Sequence, residues 1–183
     1  MEQKPDSLEN QPQSAPAPEI DQEKLEQYLE ELRRNQSFSM GIAGGFGAAI
    51  LGAFIWGVIS ALTKYQIGYM AVGVGFLVGF AVRIFGKGVD TKFGIAAAGL
   101  ALFGCMLGNL LTVCIMISFE YKVPIMDLFK ILNPELIWVF MKESFQVMDL
   151  LFYGIAMYEG FYFGVRKLTD QELASLIKQP PQA

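Results

Sequence analysis

Apolar and polar positions along this chain fall into blocks. Residues 19–35, EIDQEKLEQYLEELRRN, place Leu25, Tyr28, Leu29 and Leu32 three to four positions apart, the period of one narrow helix face. Acids lead this run and Arg33-Arg34 close it, which suits the helix dipole. Its bland reading is a solvated extension of the next helix; its alternative is a partner-binding or self-associating helix.

Four apolar runs follow. The first is uncharged between Arg34 and Lys64, the second between Lys64 and Arg83, and the third between Lys92 and Glu120; the fourth, Ser144 to Val165, holds Asp149 and Glu159. A hydrocarbon core of about 30 Å takes about 20 helical residues, so the pattern predicts spans at about 38–63, 66–84, 92–119 and 146–166. The expected fold is an all-α membrane protein, a four-transmembrane-helix bundle over 36–167. A short cytoplasmic helix (19–35) precedes it, and a cytoplasmic C-terminal tail (168–183) follows.

The stretch 120–143 carries Pro124 and Pro134, each followed by large apolar residues. Asn133-Pro134-Glu135 is a good helix start, with a cap, a first-turn proline and an early acid. Residues 136–141 are apolar but too few to span. The reading is short interfacial helices on the outer side, with Trp138 at headgroup level, the alternative being a re-entrant segment. Thr169 and Glu172 fit a capping box for a last short helix that Pro180-Pro181 ends.

Composition adds little to this pattern except by exclusion. Hydrophobic residues make up 53% of the 183, and the net charge of −4 argues against nucleic acid as a partner. Residues 1–18 are polar and proline-rich, too poor in large apolar groups to offset ordering entropy, so a disordered tail is expected. They lack the basic start and following apolar stretch of a secretory signal. The chain has no histidine, which removes His bases, Ser-His-Asp triads and His-ligated metals. Cys105 and Cys114 lie on opposite faces of one helix and read as small apolar residues. No Walker or dinucleotide motif is present, and no cofactor or metal is expected.

Charge sets orientation. Arg33, Arg34, Arg83, Lys87, Lys92, Arg166 and Lys167 cluster near span ends on one side, against Lys64, Lys122, Lys130 and Lys142 on the other. The positive-inside rule puts both termini in the cytoplasm.

Glycines fall at four-residue spacing as Gly41/Gly45, Gly75/Gly79, Gly104/Gly108 and Gly160/Gly164. Such stripes let helix backbones approach where lipid offers no competing contact. Their bland reading is packing within the bundle; the alternatives are homo-oligomer contact through a leftover stripe and a backbone-lined path. Glu159 falls roughly 10 Å inside the last span, and an acid there is costly unless paired or protonated. It is therefore a candidate intramembrane polar site, against the bland reading of a protonated or Tyr-bonded structural residue. Asp149 and Asn109 count to a common depth near the outer interface and are read as hydrogen-bond partners. An echo between GIAGGFGAA (41–49) and GIAAAGLAL (94–102), and between 75–79 and 160–164, hints at two duplicated hairpins.

YQIGYMAVGVGFLVGFAVR (65–83), GKGVDTKFGI (86–95), FGCMLGNLL (103–111) and MDLLFYGIAMYEG (148–160) together resemble a group of small bacterial four-helix membrane proteins without assigned activity. The resemblance covers about residues 40–166 and implies four spans and the bacterial inner membrane. It brings no catalytic or ligand residues. The expectation is a non-enzymatic scaffold or subunit of a membrane assembly, with the lipid bilayer, a second copy, or a protein held by 19–35 or 120–143 as partners. The alternative is a small transporter or proton-coupled channel using Glu159; an enzyme, needing Asp, Glu or Tyr chemistry alone, is the weakest reading.

Overall fold

A computed structural model describes residues 20–65 and 68–177, so the tail over 1–18 and Pro180-Pro181 lie outside the described residues. These are all-helical, in the order α1 (Gln22–Arg34), α2 (Phe38–Thr63), α3 (Met70–Gly86), α4 (Thr91–Tyr121), α5 (Ile125–Ile131), α6 (Pro134–Ser144), α7 (Val147–Gly164) and α8 (Asp170–Ser175). Two helices, α2 and α4, are long and apolar enough to cross a membrane. The 17 residues of α3 amount to about 25 Å, short of a full hydrocarbon core, and α7 carries Asp149 and Glu159.

The chain divides into two compact units. In the smaller, Ile20 and Ile177 form an antiparallel bridge and the Asp21 N–H donates to the Leu176 carbonyl at 2.9 Å. α8 begins where the Glu172 carboxylate accepts the Thr169 N–H at 2.7 Å.

The larger unit, Tyr28–Lys167, holds α2 to α7. α3 and α4 pack on each other, and α2 and α7 each pack on both of them. Residue size explains how closely they pack. The buried face of α2 is Gly41, Gly45, Ala48, Ala49, Gly52, Ala53, Trp56, Gly57 and Ser60, spaced three and four apart and almost all small. Apart from Trp56, its large side chains such as Phe46, Ile50, Leu51, Phe54 and Ile55 are exposed. α3 repeats the arrangement, with Ala71, Val74, Val78 and Val82 inside and Phe76, Phe80, Ile84 and Phe85 outside.

The glycine pairs meet neighbouring helices inside the chain. A Cβ on Gly75 would fall 2.7 Å from the Ala156 Cα, and one on Gly79 would fall 2.9 Å from the Gly160 carbonyl oxygen, so α3 meets α7 backbone to backbone. Gly104 and Gly108 face Ala49 and Trp56 of α2; Gly160 and Gly164 face Ala97 of α4. Gly41 approaches the Gly86 Cα, and Gly45 faces Val82. By contrast, a Cβ on Gly47, Gly73, Gly99 or Gly154 would meet nothing within 4 Å.

One end of this unit is tied by polar contacts. The Asp90 carboxylate, just before α4, accepts from Gln36 Nε2 at 2.7 Å and from Arg33 Nε at 3.1 Å, and Lys92 Nζ lies 3.1 Å away. The Gln36 hydrogen bond, with Lys92 and Arg33 beside it, holds the Asp90 carboxyl below the usual carboxylate range against a partial desolvation that opposes it. The Ser37 N–H donates to the Gly86 carbonyl at 2.9 Å and the Arg166 N–H to the Gly88 carbonyl at 2.8 Å. α2, α3 and α4 each end on a lysine in the left-handed region, Lys64, Lys87 and Lys122. Glycine is the usual residue there; lysine accepts some backbone strain but sets its charge against the negative end of the helix dipole.

Candidate functional site

Polar residues in the larger unit gather where α4, α6 and α7 meet. Asn109 is buried in the middle of α4, and its amide donates to Ser144 Oγ at 3.2 Å. Ser144 in turn donates to the Phe140 carbonyl at 2.7 Å, which closes the last turn of α6. Asp149 is buried and accepts the Gln146 N–H at 2.9 Å, so its carboxylate closes the first turn of α7, where the dipole favours a negative charge. Tyr153, one turn further on, is buried among Asp149, Cys105 and Asn109. Its hydroxyl is buried there, with Asn109 as its polar neighbour. The Asn109–Ser144 bond sets the α6–α7 corner level with Asn109, so α4 runs on past it for roughly 18 Å. α4 also packs against α5 and α6.

The three residues singled out from sequence do not form one site. Asn109 and Asp149 share the α4–α7 corner, each with a hydrogen bond of its own. Glu159 lies about 15 Å further along α7. There the glycines of α3 and α7 leave little room, for the Glu159 carbonyl oxygen would sit 3.2 Å from a Cβ on Gly79. The Glu159 side chain is half-buried, and its Oε2 is buried without a hydrogen-bond partner among the described residues. Trp56 Nε1 and Ser60 Oγ, one turn apart on α2, are also buried without hydrogen-bond partners among the described residues.

Two features escaped the sequence. Asp90 stands at the start of α4 like any helix cap, and nothing local signals that Arg33 and Gln36 share its carboxylate. The other is a groove of about 510 Å³ lined from α4, α6, the residue after α6, and α7, formed by residues spread in sequence from Leu102 to Tyr153. Among the described residues no three His, Cys, Asp or Glu side chains are placed to hold a metal ion.

The fold defines an all-helical protein with two helices able to cross a membrane. Compared with protein-family models, curated proteins and solved structures, the chain finds no match.

Proposed function

We propose that this chain is an integral membrane protein of four spans, α2, α3, α4 and α7, with both termini cytoplasmic, and that it serves as a non-enzymatic subunit or scaffold that self-associates in the bacterial inner membrane. The observation that carries the reading is the inversion of side-chain size. Ala49, Ala53, Ala71, Ala97, Ala101 and Ala156 are wholly buried, while Phe46, Phe54, Phe76, Phe80, Phe103 and Leu150 are exposed. In water so much large apolar surface is an aggregation hazard; in lipid it is ordinary solvent contact, and close packing of small residues is what holds the helices together. α3 and α7 are short, and local thinning of the bilayer accommodates such helices at modest cost. Because each glycine pair at four-residue spacing is occupied by a neighbouring helix, self-association falls to the exposed aromatic faces and to the 19–35 and 120–143 segments. Light scattering on the detergent-solubilised chain should give a protein mass of two or more copies of 20.3 kDa. In intact cells an impermeant maleimide should label a Lys122→Cys variant and spare Glu30→Cys. A particle that stays monomeric at every concentration, or labelling of both positions, overturns the proposal.

A second reading rests on Glu159. A buried carboxylate oxygen with no hydrogen-bond partner among the described residues takes either a proton or a cation, which is the chemistry of a proton-coupled carrier. In proteoliposomes, Glu159→Gln should abolish any proton flux the wild-type chain supports. Flux that persists in the variant, or its absence in the wild type, removes this reading.

A further inference from the structure

The groove beside α6 has no part in the packing of α2, α3, α4 and α7. It is walled by Leu102 and Met106 of α4, Ile137 and Met141 of α6 and Tyr153 of α7, and its volume of about 510 Å³ lies within the range of roughly 300–1,000 Å³ typical of ligand sites. Its wall is almost wholly apolar, and Lys142 alone among its lining residues is charged. Lys142 is exposed and has no ion-pair partner among the described residues. Glu135 and Glu143, on the same helix, are exposed and stay out of the wall. Tyr153 contributes its ring to the wall, its hydroxyl being buried beside Asn109 and Asp149. An apolar trough with an ammonium at its exposed edge calls for a long apolar chain joined to an anion.

We propose that this groove binds an anionic phospholipid, one acyl chain lying between α4, α6 and α7 and the phosphate meeting the Lys142 ammonium. A neutral, zwitterionic lipid presents the same chain but no net charge for Lys142, so the groove discriminates by headgroup.

This inference rests on the membrane reading above, and the experiment separates the two. The chain has two tryptophans, of which Trp138 lines the groove and Trp56 is 1% exposed, so the Trp138 signal is the wild-type fluorescence less that of Trp138→Phe. The full chain is reconstituted in phosphatidylcholine vesicles and titrated with phosphatidylglycerol or phosphatidylcholine carrying brominated acyl chains. Quenching of Trp138 should favour phosphatidylglycerol by about fivefold, the worth of one lysine charge near the surface. Lys142→Gln should bring the ratio to one, while Lys142→Arg and Lys122→Gln keep it. Equal quenching by the two lipids, or a preference that survives Lys142→Gln, overturns the lipid site alone. A chain that fails to float with the vesicles overturns the membrane reading and the site together.

Discussion

Gly75→Val is expected to lower the stability of the helical core by about 3 kcal/mol, the upper end of the usual cost of overpacking. The first atom added would fall 2.7 Å from the Ala156 Cα and closer still to its carbonyl. Backbone atoms cannot swing aside as a side chain can, so α3 and α7 would have to separate. Separation would also release the contacts at Gly79 and Gly160, because both lie along the same seam. Gly154→Ala, on the open side of α7, should instead be neutral or stabilising by up to about 1 kcal/mol, since its Cβ meets nothing within 4 Å and alanine is the better helix former. The midpoint of SDS-induced unfolding in mixed micelles measures both. If the two variants unfold together, the α3–α7 seam is not where the structure puts it.

That contrast marks what a sequence of this kind discloses. Spacing identifies Gly75 and Gly79 as one stripe, because periodicity is local. It does not say that the stripe faces Ala156 and Gly160 rather than a second molecule, nor does it separate Gly75 from Gly73, two residues away and open. Helix starts were legible for the same local reason: Asn133 ahead of Pro134 caps α6, its side chain accepting the Leu136 N–H at 2.7 Å. Helix depth was legible only as a count. Counting along α4 and α7 brought Asn109 and Asp149 to one level, but their bonding was not readable, since Ser144 and Gln146 lie at the α6–α7 corner, whose path depends on how α5 and α6 turn back along α4. The groove was invisible because Leu102, Met141 and Tyr153 share no sequence pattern.

Phe93, like Trp56, departs from the buried-small rule, and its removal should be among the costliest truncations in the unit. It is wholly buried, a large ring set against Gly41, Gly86 and Gly88. Cβ atoms on Gly41, Gly86 and Gly88 would all run into its ring, the first at 3.3 Å and the second at 2.7 Å, and Phe38 packs edge-on at 5.4 Å. The glycines are small because the ring fills the space they leave. Phe93→Ala therefore opens a cavity whose glycine walls have no side chains with which to close it, and should cost about 3–5 kcal/mol. The loss should spread along two particular bonds. The Ser37 N–H is held by the Gly86 carbonyl and the Arg166 N–H by the Gly88 carbonyl, both on glycines that the ring supports. Hydrogen exchange at Ser37 and Arg166 should accelerate by more than at the Ala101 amide in the middle of α4. Phe46→Ala, at an exposed ring, supplies the comparison, and should shift the unfolding midpoint far less. Equal shifts for the two phenylalanines would mean that the ring at position 93 fills no space the glycines depend on.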